Sequence, residues 1–439
     1  MTAVAAKIPE RRGACPGLSA PMPTGDGLLV RLTPTGTISL RAFAALCTGA
    51  HECGNGIIEV TARGNIQVRG LTAVAAPRFA SAVAALGIAA ADGVPVLSDP
   101  LAGLDADELI DASALAADLR AALARTSLAA RLDPKVSVAI DGGSALGLSG
   151  LSADVRLCAQ KTNGEVTLRV GIGGDEANSV VLGTVAVTDG VEAAIRLLDV
   201  ITRRGSEVRA RDVLLTEGVG VFQFAIAGLL CSARPRESGD PELDARFRGN
   251  ERSKSIGAHP LRGGTLASGI GLAFGHSDAT VLRQLAGAAN DAGARGFRPA
   301  PDRVLVAIGL VPDNLAMFSA AADQLGFIVH ADDPRRAVIA CAGAPICASA
   351  HIAARAIAPA IAAAAARRGG AFKIHLSGCA KGCAHPAPAA LTVVGTPSGC
   401  ALITDGTARD AAFDIIAADE LPAAVAAIAR DIEDEARHV

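Results

Sequence analysis

The sequence predicts an α+β protein in which one β-α-β-β-α unit occurs twice. Three observations predict it. Strand-like and helix-like periodicities follow one another, separated by short turns, along most of the 439 residues. The order found over residues 26–86 returns over residues 269–325. Fifty per cent of the residues are hydrophobic and 19% are charged, which supplies sizeable cores and excludes a disordered chain. Forty-one Lys and Arg against 44 Asp and Glu leave a formal charge of −3, so nothing global draws the chain to nucleic acid or an anionic membrane. The absence of Trp and Tyr removes phenol acid–base chemistry.

The first copy starts with a strand over Asp26–Leu32, and Thr37 or Ser39 caps a helix running to about Gly49. Gly56–Arg69 predicts two strands around a turn at Gly64-Asn65, followed by a helix over Ala75–Leu86. The second copy has a strand over Gly269–Phe274, a cap at Ser277-Asp278 and a helix over Ala279–Ala292. Strands at Gly296–Arg298 and Arg303–Leu310 and a helix over Asn314–Leu325 complete it. On this alignment Arg298 falls over Glu59. Between the copies, strands Val136–Ile140, Asp154–Leu157, Glu165–Ile172 and Val180–Val187 alternate with helices Ser113–Leu123 and Val191–Arg203. Residues 234–260 turn abruptly to charge, Gly, Pro and Ser, which predicts a solvated insertion with no core to join. Beyond residue 328 come strand Val338–Cys341, an Ala-rich helix Ala348–Arg368 kinked at Pro359, and strand Phe372–Ser377. Strands Leu391–Val394 and Leu402–Thr404 and a helix from Leu421 close the chain.

The start of the chain is apolar only from Ala3 to Ala6 before Lys7, Glu10, Arg11 and Arg12, which is no secretory signal. The long uncharged stretches are broken by Gly and Pro, so none reads as a membrane span, and a cytoplasmic protein with reduced thiols is expected. Six of the ten cysteines, Cys15, Cys47, Cys53, Cys158, Cys231 and Cys400, are scattered and read as small buried hydrophobes. Cys341, Cys347, Cys379 and Cys383 form two tight pairs, Cys-x5-Cys and Cys-x3-Cys, each in a loop at a strand end. A structural zinc site prefers two short Cys-x2–4-Cys knuckles, whereas a [4Fe–4S] cluster takes four thiolates that strand-end loops can deliver. The pattern favours the cluster.

The two cysteine pairs resemble the cluster signature of the sirohaem-dependent sulfite and nitrite reductases. A closer resemblance is to the precorrin-3B synthase family, built on the same fold. It rests on Arg11-Arg-Gly-Ala-Cys-Pro-Gly17, Thr24-Gly-Asp-Gly-Leu-Leu-Val-Arg-Leu32 and Thr61-Ala-Arg-Gly-Asn-Ile-Gln-Val-Arg-Gly70. Leu132-Asp-Pro-Lys-Val-Ser137, Asp141-Gly-Gly143 and Ser377-Gly-Cys-Ala-Lys-Gly-Cys-Ala-His-Pro386 add to it. The reductases tend to carry Asn where Lys381 stands. The resemblance implies a nitrite/sulfite reductase-like architecture, with two ferredoxin-like half-domains interleaved with two larger α+β domains in a pseudo-two-fold repeat. The boundaries expected are 1–90 for the first half-domain, 91–233 for the first α+β domain, and 234–262 for the polar insertion. Residues 263–328 then form the second half-domain and 329–439 the iron–sulfur-binding α+β domain.

The activity implied is oxygen-dependent hydroxylation of precorrin-3A at the meso carbon between rings A and D, with lactone closure by an acetate arm, in cobalamin biosynthesis. Sirohaem-dependent sulfite or nitrite reduction is the alternative on the same scaffold. Cys341, Cys347, Cys379 and Cys383 would hold the cluster, the last bridging it to sirohaem iron in the reductases. A second, mononuclear iron is associated with the family, and the sequence nominates no ligands for it. A tetrapyrrole carries several carboxylate arms, which Arg recognises with a planar fork. Arg63, Gln67 and Arg69 would share a face in a continuous strand, and Lys135, Arg298 and Arg303 are further candidates for the substrate. Lys381, inside the cluster loop, is expected to be catalytic, His385 is undecided, and His276 reads as a surface residue at a helix start. Gly171-Ile-Gly-Gly174 is too short for a dinucleotide fingerprint, so reducing equivalents are expected from an external donor, a reductase or an NADH-linked protein.

Overall fold

The computed structural model describes residues 16–91, 93–231, 255–366, 372–385 and 387–436. Most of the Arg11–Gly17 motif, most of the 234–260 stretch, and Pro386 lie outside these residues. Two compact units result, one formed mainly by Ala91–Arg248 and the other by Leu18–Ala90 with Gly249–Val439. Among the described residues no single helix is long and apolar enough to cross a membrane.

The larger unit holds two half-domains that exchange strands. In the first, β1 (Met22–Thr24), β2 (Gly27–Leu32), β4 (Ile57–Val60) and β5 (Ile66–Leu71) form an antiparallel sheet in the order β1-β2-β5-β4. In the second, β11 (Gly257–Pro260), β12 (Leu266–Gly271), β14 (Gly296–Ala300) and β15 (Val304–Leu310) repeat it as β11-β12-β15-β14. Each sheet gains its fifth strand from the other copy. The short β3 (Ile38–Ser39) pairs with β14, and β13 (His276–Asp278) pairs with β4. Each donated strand ends in the residue that caps the next helix. Ser39 Oγ accepts from Ala42 N ahead of helix Leu40–Cys53, and Asp278 from Thr280 N ahead of helix Ala279–Asp291.

The exchange fixes the alignment of the copies. Ser39 lies opposite Gly296 and Asp278 opposite Ile57, so Arg298 and Glu59 are equivalent positions, as the sequence alignment places them. One apolar core serves both copies. Phe43 of the first packs on Phe297 of the second with ring centroids 4.8 Å apart, amid Leu46, Ile58, Leu282 and Leu305. Each such buried side chain contributes about 1.5–3 kcal/mol, which ties the copies into one folding unit.

The two larger sheets share one topology. In the first unit β6 (Val96–Ser98), β7 (Val138–Asp141) and β8 (Ala153–Thr162) run parallel, and β9 (Glu165–Gly174) and β10 (Val180–Ala186) continue antiparallel. In the second unit β16 (Val338–Ala340), β17 (Ile374–Ser377) and β18 (Ala389–Thr396) run parallel, and β19 (Gly399–Gly406) and β20 (Asp414–Ile416) continue antiparallel.

Four expectations need correction. Gly257–Pro260 is a strand paired with β12, so the polar stretch ends before it, because Ala258 and His259 fall in register with Ser268 and Ala267. The second copy's first strand is Leu266–Gly271 and stops short of Phe274, which takes a left-handed φ of 57° in the turn Ala273–Gly275. The Ala-rich helix starts at Ala354 rather than Ala348. Its expected first residues are held in a loop instead, with His351 N donating to Gly378 O and Ala344 N to Ile352 O. Arg63 leaves the face of Gln67 and Arg69, because the Thr61–Asn65 turn intervenes before β5.

Candidate active site

The cysteine loops leave the ends of two adjacent parallel strands, β16 and β17. Cys341 follows β16 directly and Cys379 follows Ser377 and Gly378 at the end of β17. Gly378 N donates to Cys341 Sγ at 3.0 Å, and Cys347 N donates to Gly343 O. A Cβ on Gly378 would stand 2.6 Å from the Ala350 methyl, so only glycine lets the two loops close. Lys381, exposed in the second loop, donates from Nζ to Ser349 Oγ in the first at 2.9 Å.

Cys341, Cys347 and Cys379 are half-buried and Cys383 is exposed. Burial pushes the Cys341 thiol up, and Cys347 and Cys379 push it further, against the Gly378 and Gly343 amides. Cys383 is raised by burial, then by Cys379, Cys341 and Cys347. Cys341 and Cys383 therefore lie within electrostatic reach of Cys347 and Cys379, and of each other. Among the described residues no three His, Cys, Asp or Glu side chains converge to hold one metal ion. A closed zinc site needs its donors at roughly 2.0–2.3 Å from a single point, whereas a cubane takes one thiolate at each of its separated iron corners. Four thiols carried on two strand-end loops that glycine lets close are the kind of donors such a cluster takes.

Against these loops stands a largely buried polar face of the first half-domain's sheet. Register aligns Arg31 on β2, Gln67 on β5, Glu59 on β4 and His276 on β13 in one row across four strands. With its amide suitably turned, Gln67 donates to Glu59 Oε2 at 2.9 Å and accepts from Arg31 at 2.7 and 3.0 Å. Arg69, two residues along β5, donates twice to Asp26, at 2.9 and 3.1 Å, and lies 3.7 Å from Glu59. Burial raises the Asp26 carboxyl, but hydrogen bonds from Arg69 and Thr24 outweigh it and hold the group below its ordinary value. Arg355, in the first turn of helix Ala354–Ala366, donates through Nη2 to Glu59 Oε1. The turn carrying Asp26 touches the first cysteine loop. A Cβ on Gly25 would fall 2.0 Å from Ala348 N and 2.8 Å from the Cys347 backbone.

The structure thus places the predicted residues unevenly. Gln67 and Arg69 lie on the polar face, with Arg69 committed to Asp26. Arg303 reaches the second cysteine loop, donating to Ala384 O at 3.1 Å, and the backbone of Arg63 bridges Pro301. Arg298 donates to Thr37 Oγ1 at 2.8 Å, the counterpart of Glu59 facing His276. Lys135 is exposed in the turn before β7, in the first unit. His276 is no surface cap. It occupies the donated strand, half-buried, with its imidazole pushed down to about 4 by burial and then by Arg355. His385 lies edge-on to the fully buried His375, ring centroids 5.7 Å apart. Sequence reasoning missed Asp26, Arg31, Glu59 and Arg355 as members of the site. Arg355 left one signal, as the only charged side chain between Cys347 and Ala366.

The exchanged half-domains and paired five-stranded sheets define the nitrite/sulfite reductase fold. The structure of the NirA protein of Mycobacterium tuberculosis superposes with a TM-score of 0.72, covering 90% of this chain and 79% of that one at 20% identity. No protein-family model matches. A precorrin-3B synthase from Sinorhizobium sp is 39% identical over 402 residues, 91% of this chain and 84% of the relative. A ferredoxin–nitrite reductase from Synechococcus elongatus is 25% identical over 386 residues, 82% of this chain and 75% of the relative. The chain belongs to the precorrin-3B synthase family.

Proposed function

We propose that the chain converts precorrin-3A to precorrin-3B by oxygen-dependent hydroxylation and lactonisation, in aerobic cobalamin biosynthesis. The observation that carries this reading is the identity of 39% to a precorrin-3B synthase across 91% of the chain. Cys341, Cys347, Cys379 and Cys383 would hold a [4Fe–4S] cluster, which supplies one-electron transfer beside the substrate. The polar face carrying Arg31, Gln67 and Arg69 suits a polyanionic macrocycle, since buried guanidinium groups pair best with carboxylates. Arg63, Arg298 and Arg303 would extend the basic set for its remaining arms. Fixing those arms fixes which meso carbon is presented to dioxygen. Lys381 Nζ, hydrogen-bonded to Ser349, would hold a proton at the edge of the cluster loop. Electrons would come from an external donor, a reductase or an NADH-linked protein. A mononuclear iron belongs to the same reading, with its ligands unassigned.

Purification without oxygen, then incubation with precorrin-3A with and without isotope-labelled dioxygen, tests the reading. The product should carry one labelled oxygen and a new lactone, and turnover should stop without dioxygen. The 25% identity to a ferredoxin–nitrite reductase favours a second reading, sirohaem-dependent reduction. Intense Soret and chlorin bands in the purified protein, with turnover of nitrite or sulfite, would establish that one instead.

A further inference from the structure

We infer that Arg355 is a substrate-binding residue, the anchor of a carboxylate subsite at the junction of the polar sheet face and helix Ala354–Ala366. Its side chain is 11% exposed, and Nη2 is committed to Glu59. Nε and Nη1 are buried with no hydrogen-bond partner among the described residues. A guanidinium stays protonated and can only donate, so these nitrogens can be satisfied only by an acceptor. Stranding them in the interior costs far more than leaving them in water.

Three further facts point to an anion as that acceptor. Around Glu59 the polar face gathers Arg31, Arg69 and Arg355 against Asp26 and Glu59, an excess of one positive charge in a half-buried place. Glu59 already accepts on both oxygens, Oε1 from Arg355 Nη2 and Oε2 from Gln67, without reaching Arg355 Nε or Nη1. His276, facing Glu59 across β13 and β4, also buries an Nδ1 without a partner among the described residues. A carboxylate has four lone-pair sites, enough to take both Arg355 nitrogens. These donors are enclosed by protein, so the arriving carboxylate takes Arg355 by drawing the guanidinium outward about its own torsions. Glu59 then serves as the parking place of the guanidinium in the absence of ligand. That the carboxylate belongs to a tetrapyrrole rests on the function proposed above.

The test titrates coproporphyrin III, a macrocycle with four carboxylates, against the full-length protein by fluorescence quenching. Arg355→Gln should weaken binding roughly tenfold or more, and Arg355→Lys should recover part of the loss, since a lone charge replaces a fork. The double variant Glu59→Gln with Arg355→Gln removes both charges and guards against a misfolded single variant. It should bind as weakly as Arg355→Gln alone. Wild-type affinity in a folded Arg355→Gln protein or in the double variant would overturn the inference, leaving Arg355 as a mere partner of Glu59. A parallel melting experiment uses succinate in place of the macrocycle. Stabilisation of the wild type by succinate, lost in Arg355→Gln, supports the subsite even if the wild type ignores the macrocycle, an outcome that would sink only the functional reading. A wild type indifferent to both probes overturns the subsite as well.

Discussion

The two five-stranded sheets place different chemistry at the same point. Val96 pairs with Val138 as Val338 pairs with Ile374, so Asp99 occupies the position of Cys341, and Gly142 that of Gly378. The correspondence extends to one hydrogen bond. Gly142 N donates to Asp99 Oδ2 at 3.0 Å, and Gly378 N donates to Cys341 Sγ at 3.0 Å. In the first unit the remaining acceptors are also filled from within: Ser144 Oγ donates to Asp99, Ala145 N to Asp105, and Leu148 N to Asp141. In the second unit Cys341 takes the Gly378 amide, while burial and the neighbouring sulfurs raise the Cys341 and Cys383 thiols. A strand-end loop pair can thus be closed by its own carboxylates or left for a group brought from outside. The contrast sets an end closed by its own carboxylates against one lined by thiols.

Breaking the cysteine side should have the largest effect. Cys379→Ser should abolish bound iron, acid-labile sulfide and turnover together, because losing one thiolate labilises the cluster. A variant that keeps full cluster absorbance would remove Cys379 from the ligand set. Breaking the carboxylate side should cost stability alone. Asp99→Ala strands the Gly142 amide and should lower the unfolding free energy of the first unit by about 1–3 kcal/mol, measured by urea titration. Iron content should not change, and a loss of iron would deny the functional separation of the two ends.

The contrast also has a pH signature. Burial, then repulsion from Asp141, raises the Asp99 carboxyl to about 7, against the bonds from Ser144 and Gly142. An acid whose folded value is raised binds its proton more tightly when folded. Its contribution is therefore full below the unfolded value of 3.8 and is lost as pH rises through about 7. Asp99→Asn should flatten the decline of first-unit stability between those limits, and an unchanged pH profile would assign it to other groups. The smallest effect concerns the tie between the cysteine loops. Lys381→Met removes the bond from an exposed side chain to half-buried Ser349, so stability should change by less than about 1 kcal/mol and iron should be retained. A slowed turnover at constant iron would mark Lys381 as a proton carrier, and an unaltered rate would reduce it to the tie.

Much of this was legible in the chain. The cysteine pairs declared themselves because both partners of each sit in one loop, and short spacing is what a sequence displays best. The copies were legible because caps, turns and apolar periods recur locally, down to the equivalence of Glu59 and Arg298. The polar row was not. Arg31, Gln67, Glu59 and His276 meet only through the register of four strands, one of them contributed by the other copy. His276 sits beside a helix cap in sequence and beside Glu59 in space, so local reasoning misassigned it. Arg63 shared that face only on condition that the strand ran unbroken, and the turn that the sequence marks at Gly64-Asn65 interrupts it.

The donated strand His276–Asp278 also bears on how such a molecule could have arisen. Once a duplicated module lends its neighbour an edge, neither half can be deleted, reordered or expressed alone without baring a raw flank and splitting the Glu59–His276 couple. The duplication is thereby locked in, and later change is confined to loops and side chains, where two copies of one ancestor can drift apart while the shared core holds.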